Sequence, residues 1–198
     1  MKPIMLELPF PILTPRLLIR PVLPGDGPVL YAAKAESIED LRLWMPWARV
    51  EISVEESEKS SREAHARFLT GEDIRLCLFD RSTGEFLGGS GLHRIDWEHC
   101  IFEIGYWVRS SRVGRGYVTE AVNAVARYAF GQLDAKRVSI YCNASNSKSR
   151  AVAERLSFPL EGVHLNDDRI AAPEVICRDH AVYARTSEKG LPPLEVSW

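Results

Sequence analysis

Several common signatures are missing from this chain of 198 residues, and each absence removes a class of function. No apolar run approaches the length that spans a bilayer. The opening Met1-Lys2-Pro3-Ile4 lacks the apolar core of a signal peptide. Four cysteines (Cys77, Cys100, Cys142 and Cys177) are scattered without a C-x-x-C pair. Neither a disulfide framework nor a thiolate zinc site is therefore expected, and the cysteines read as reduced core residues. The histidines His65, His93, His99, His164 and His180 show no H-x-x-x-H spacing and no close cysteine, so no metal is expected. Charge of one sign is also lacking: 25 basic against 27 acidic residues leave a net −2, without the footprint of a nucleic-acid or anionic-membrane binder. The remaining expectation is one cytoplasmic domain over residues 1–198, with an ordinary composition of 45% hydrophobic and 26% charged residues.

What is present centres on one stretch. Glu103-Ile104-Gly105-Tyr106-Trp107-Val108 reads as a buried strand, Arg109 to Val113 as a short basic loop, and Gly114-Arg115-Gly116-Tyr117-Val118-Thr119-Glu120-Ala121 as the entry to a helix. Val118, Val122, Val125 and Ala129 recur with helical spacing and give that helix one apolar face. A helix start leaves backbone N–H groups unpaired and carries partial positive charge. Glycines there admit a ligand close to the backbone, and Arg112 and Arg115 add positive charge. Strand, glycine loop and helix start together describe a phosphate cradle. Two nucleotide motifs do not fit it: no Lys-Ser or Lys-Thr follows the glycines, and Thr119 stands where a dinucleotide fingerprint has its third glycine.

The rest of the chain supplies strands around this centre. Residues 1–12, with Pro3, Pro9 and Pro11, form an extended lead-in, and Arg16 to Arg20 a short strand between Pro15 and Pro21. Pro28 to Ala35 and Ile38 to Leu43 read as two short helices, and Ser53 with Glu56 as a capping box opening a helix to about Leu69. Alternation then predicts strands over Ile74–Phe79, Phe86–Ile95 and Cys100–Val108, joined by short turns as an antiparallel meander. The cradle helix should run from Gly116 to Phe130, followed by a strand over Val138–Cys142 parallel to its predecessor. A helix over Lys148–Leu156 and strands over Leu160–Leu165 and Val175–Ala184 close the domain, with a loose tail from Thr186. This is an α+β protein with a mixed sheet.

Two motifs in this order resemble those of the GNAT superfamily of N-acetyltransferases. Val113-Gly114-Arg115-Gly116-Tyr117-Val118 is similar to its pyrophosphate motif Q/R-x-x-G-x-G/A, with Val113 and Val118 departing from the pattern. Asn146-Ser147-Lys148-Ser149, with the helix ending Leu156-Ser157-Phe158, resembles its N-x-x-S and L-G-F signature, with Ser157 in place of glycine. Caps alone also account for Asn and Ser at that position. The longer string of Glu103 to Val108 followed by Gly114 to Ala121 resembles the branch that acetylates ribosomal-protein N-termini. The resemblance covers roughly residues 12–186. It implies an acyl-CoA N-acyltransferase fold: a mostly antiparallel mixed sheet of about six to seven strands with helices on both faces.

The resemblance further implies acetyl-coenzyme A as co-substrate. Trp107 and Val108 would hold the pantetheine, Val113 to Val118 the pyrophosphate, and Asn146 and Ser149 would lie near the reactive end. An amine acceptor needs a base, since alkyl amines are protonated at neutral pH. Glu103, in an otherwise apolar strand, is the candidate, with burial expected to raise its pKa; a purely structural Glu103 is the alternative. The position used by many relatives for a tyrosine acid is Ala153, so Ser149 is the candidate donor to the leaving thiolate, with Tyr183 a weaker substitute. Cys142 reads as core, not nucleophile. Trp44 and Trp47 resemble an acceptor-mouth motif and read equally well as core. Glu36, Glu39, Asp40, Asp167 and Asp168 read as attractors of a cationic amine or as solvated surface. The expected partners are acetyl-coenzyme A and a protein N-terminal or small amine, with a homodimer as one expected assembly. A non-catalytic acyl-coenzyme A module and, further off, a nicotinamide oxidoreductase are the alternatives.

Overall fold

Alternation along the strands sorts the apolar side chains to two faces of one sheet in the computed structural model, which describes residues 3–49, 53–167 and 178–198. The strands are β1 (Ile12–Leu13), β2 (Leu17–Pro21), β3 (Ile74–Asp80), β4 (Phe86–Asp96), β5 (Ile101–Val108), β6 (Arg137–Asn143), β7 (Leu160–His164) and β8 (His180–Arg185). They lie in the order β1-β2-β3-β4-β5-β6-β8-β7, one or two strands more than expected, with Ile12–Leu13 at the end of the lead-in joining as β1. All neighbours are antiparallel except β5 and β6. Val175 and Cys177 of the expected last strand, and Asp168, lie outside the described residues.

Among the described residues four α-helices cover the sheet: α1 (Gly27–Arg42), α2 (Val54–Thr70), α3 (Tyr117–Gln132) and α4 (Ser147–Arg155). The main core joins Leu76 and Leu78 of β3, Phe102 and Ile104 of β5 and Ile140 of β6 to Val122, Val125 and Ala129 of α3 and Val152 of α4. Cys77, one residue out of phase, faces the other way into a smaller cluster with Leu30 and Ala33 of α1 and Ala64 of α2. Cys77 and Cys142 are buried as expected of core residues, whereas Cys100 is half-buried.

The helical region before the first capping box is one helix, not two. No glycine or proline interrupts α1 after Pro28, so nothing breaks it at Glu36. Ser53 Oγ accepts from the Glu56 N–H at 3.0 Å and Gly71 closes α2 in the left-handed region. The tail is also not loose. Leu13 N–H donates to Ser197 O (2.7 Å) and Ser197 N–H to Leu13 O (3.1 Å), extending the sheet edge. Leu191 is buried in the main core, Pro192 O accepts from Asn123 and Arg127, and Trp198 packs edge-on against Tyr128 at 5.7 Å.

Glu120, one turn into α3, ties the helix to the first strands. It accepts from Thr14 Oγ1 (2.6 Å), Arg16 N–H (3.1 Å) and Arg16 Nε (2.5 Å). Thr14 is 2% exposed, so removing the carboxylate strands a buried hydroxyl. Glu120→Ala should lower stability by about 1–3 kcal/mol in urea unfolding; a change below about 0.5 kcal/mol would show that the contact is idle.

Candidate functional site

β5 and β6 pair in parallel over three positions only: Ile101 with Arg137, Phe102 with Val138 and Glu103 with Ser139. Beyond Glu103 and Ser139 the strands part. β5 stays paired to β4 as far as Val108, and β6 stays paired to β8 as far as Asn143. A wedge therefore opens between their ends, with unpaired backbone groups on its walls. Arg109 N–H donates to Leu87 O on β4 at 2.9 Å, so by strand alternation Trp107 turns its N–H to β4 and Val108 turns its own into the wedge. Val108 thus fits the expected backbone contact, whereas Trp107 offers its indole to the opposite side of the sheet.

At the mouth of the wedge lies the glycine loop. Gly114 and Gly116 both have φ of +79°, a region that side chains rarely enter, and Gly116 is the N-cap of α3. A Cβ on Gly114 would meet nothing within 4 Å, so the space above the backbone is open to a ligand. The first N–H bonded within this turn is Glu120 to Gly116 O, which leaves those of Tyr117, Val118 and Thr119 to face outward. Val113 is exposed beside them. Arg16 Nη1 holds the loop through Arg115 O at 2.9 Å and stacks on the Tyr117 ring. Of the two expected mobile cations, Arg112 is committed to Glu85 at 2.5 Å, and only Arg115 has no ion-pair partner among the described residues. A β-branched side chain at Gly116 would strain the turn by about 1–2 kcal/mol. Gly116→Val should weaken coenzyme A binding about tenfold in calorimetry; unchanged affinity removes the cradle assignment.

Behind the cradle an acidic face of α1 is spent on structure. Glu36 accepts from Arg109 Nε (2.9 Å) and Ser111 N–H (3.1 Å), and Asp40 accepts from Ser110 Oγ. These carboxylates hold the loop in place and do not line an amine path. The hydrogen bond from Arg109 first, then that from Ser111, lowers the Glu36 pKa to about 2. A depressed folded pKa gives stability that is present above the unfolded value and lost as pH falls toward the folded one. Glu36→Gln should therefore lower the melting temperature at neutral pH, with the gap to wild type closing between about pH 5 and about pH 2. A gap independent of pH contradicts the assignment.

Inside the wedge, Asn146 Oδ1 caps α4 by accepting from Ser149 N–H at 3.0 Å. Ser149 Oγ lies 3.0 Å from the Tyr106 hydroxyl, which also donates to Ser149 O at 3.0 Å. Burial pushes the Tyr106 phenol up, and burial likewise raises the Cys142 thiol, against a hydrogen bond from Ser149 that lowers it. Cys142 is accordingly no ready nucleophile. Tyr183 is turned elsewhere, accepting from Arg150 and donating to Glu154.

On the opposite face a cavity of about 560 Å³ separates α1 and α2 from β3, β4 and β5, and reaches Gly105, Tyr106 and Trp107 at the wedge. Trp47 lines it, edge-on to Trp107 at 5.8 Å, while Trp44 faces a separate recess beside Asn143 and Ser145. His93 is the imidazole in this cavity. Its Nδ1 lies 2.6 Å from Asp73 Oδ1, and its ring rests on the paired glycines Gly91 and Gly105, where any Cβ would come within 3.0 Å of it. Glu103 is directly opposite His93 in register but lines a different, open recess with Arg94, Arg137 and Ser139. Arg94 Nε is 3.4 Å from its carboxylate. That recess is open and of mixed charge, with Glu161 paired to Arg137, and is not the apolar pocket expected. The cause is local: Arg94 has φ of +47° where the β4 register shifts, which turns its side chain onto Glu103.

A sheet split at a parallel pair, with a glycine cradle at its mouth and a cavity behind it, defines an acyl-transfer fold. The acetyltransferase (GNAT) domain profile matches residues 16–159, and the chain belongs to this family of N-acetyltransferases. Among curated relatives, the putative ribosomal N-acetyltransferase YdaF of Bacillus subtilis is 40% identical over 79 residues, covering 40% of this chain and 43% of that protein. The ribosomal-protein-serine acetyltransferase of Escherichia coli is 33% identical over 78 residues, covering 39% and 44%. The chain thus matches less than half the length of either relative. Among solved structures, the RimL ribosomal L7/L12 alpha-N-protein acetyltransferase with coenzyme A superposes with a TM-score of 0.80 at 23% identity, over 91% of this chain and 98% of that one. The microcin C7 self-immunity acetyltransferase MccE, with acetyl-CoA and AMP, gives 0.79 at 21% identity over 87% and 93%. No helix among the described residues is long and apolar enough to cross a membrane, and no group of metal-ligating side chains occurs among them.

Proposed function

We propose that the chain transfers the acetyl group of acetyl-coenzyme A to a primary amine by direct attack in a ternary complex. The parting of β5 and β6 carries this reading, because the cradle stands at its mouth and the cavity reaches Gly105, Tyr106 and Trp107 on its β5 wall. Neighbours crystallised with coenzyme A and acetyl-CoA support the co-substrate. Relatives named for ribosomal proteins favour a protein N-terminal amine as acceptor, with a small amine as the alternative. Bound acetyl-coenzyme A supplies an activated acyl group as its thioester.

The chain's own residues then divide the work. Backbone N–H groups from Gly114 to Val118 receive the pyrophosphate. The Val108 N–H stabilises the oxyanion at the carbonyl. Ser149 Oγ, 3.0 Å from the Tyr106 hydroxyl, turns its proton from that oxygen to the leaving sulfur. The amine must lose a proton to a base, since its pKa in water is about 10. Glu103, at the root of the wedge, is one candidate, acting through a water. The His93 geometry favours a second: Asp73 holds Nδ1, and Nε2, which lies over Gly91 and Gly105, is left to take the proton.

Thiol release from acetyl-coenzyme A across free N-terminal peptides, polyamines, aminoglycosides and amino acids tests the activity. Release with one class identifies the acceptor, and silence despite coenzyme binding favours a non-catalytic module. His93→Gln should lower kcat by about a hundredfold and flatten the pH–rate profile. Glu103→Gln should cost less than about tenfold, since Arg94 already engages that carboxylate. The reverse order returns the base role to Glu103.

A further inference from the structure

The cavity behind the wedge is lined by two cations that have no carboxylate partner among the described residues. Arg75 of β3 donates through Nη1 to Ser60 Oγ of α2 at 3.0 Å, and no carboxylate oxygen among the described residues stands within 4.0 Å of its guanidinium. Lys34 of α1 places its ammonium over the Trp47 ring, 5.2 Å from the centroid, again with no ion pair among the described residues. The carboxylates of the lining are spoken for or distant. Asp73 is bonded to His93, and Glu56 is exposed and directed to Lys59 at 3.7 Å. Counting Arg67, the lining carries three cations against two carboxylates, although the whole chain is at −2. Burial, and then the charge of Arg75, lower the Lys34 pKa to about 8. Two like charges brought together and partly desolvated are unfavourable until an anion joins them.

We propose that the acceptor amine carries an oxyanion, a carboxylate or a phosphate, and that Lys34 and Arg75 receive it. This rests on reading the cavity as the acceptor site. Arg75 pairs in register with Gly91, and the His93 ring lies over Gly91. Arg75 and His93 therefore share one face of the sheet and line one cavity, so amine and anion would be separated by few bonds. A small zwitterion and a peptide whose first residues include an acidic side chain both have this chemistry. A guanidinium fork matches either oxyanion.

Matched acceptor pairs differing only in that charge test it. Ala-Glu amide against Ala-Gln amide is the peptide arm, and phosphoethanolamine against ethanolamine, with β-alanine against its methylamide, is the small-molecule arm. In at least one arm the anionic member should be preferred about tenfold or more in kcat/KM, chiefly through KM. Arg75→Gln and Lys34→Gln should each cut that preference to about threefold or less, whereas Arg75→Lys should keep most of it. The ratio within a pair is internal to each variant, so a general loss of activity does not mimic the effect. A neutral member used equally well, or a preference that survives both Gln variants, overturns the proposal. If no amine is acetylated, the acetyltransferase reading fails by itself. The anion site is then judged by melting shifts from the N-acetylated anionic probes with coenzyme A present: a shift in wild type lost in Arg75→Gln supports it, and no shift overturns it.

Discussion

Two neighbouring parallel strands normally stay paired, because each unpaired backbone N–H and C=O taken from water is costly. Here β5 and β6 separate after Glu103 and Ser139, and the rest of the structure follows from that parting. Each strand keeps its outer partner, so the sheet behaves as two halves, one from β1 to β5 and the other from β6 to β8. The Tyr106 hydroxyl bridges the gap beyond the paired positions, reaching Ser149 at the start of α4. The unpaired groups on the walls are what an extended ligand with amide groups would satisfy.

The halves are then fixed from outside. Glu120 joins α3 to β2, Glu36 and Glu85 hold Arg109 and Arg112 beside the cradle, and the chain end pairs with β1. These ion pairs are half-exposed, so their value is geometric more than energetic: they set the loop from which Gly114 and Gly116 present the backbone. The cavity on the far side shows the opposite economy. His93 and Asp73 are paired there, but Lys34 and Arg75 have no ion pair among the described residues.

Much of this was legible in the chain. The cradle helix, the Asn146 cap and the meander from Ile74 to Val108 each carry a local signal in spacing, capping residues or turns. Local signals also misled. The Glu36 to Ile38 region looked like a joint between helices, and the proline-bearing tail looked loose, although Leu191 and Trp198 anchor it through contacts distant in sequence. The site's side chains were the least legible. Which residues of β3, β4 and β5 share a cavity depends on register, and a slip of one residue turns each to the other face. His93, Arg75 and Tyr106 therefore gave no sign beyond the glycines at positions 91 and 105 that make room for the imidazole. The register shift near Arg94, which takes Glu103 out of an apolar setting, has no sequence mark at all.

Amide hydrogen exchange with and without coenzyme A tests the central claim most directly. If the parted strands and the glycine cradle form the coenzyme seat, protection should appear at Tyr106 and Val108 on the wedge wall and at Tyr117, Val118 and Thr119 at the start of α3. Tight binding that leaves both groups of amides exchanging as before, or that protects a different region, contradicts the account.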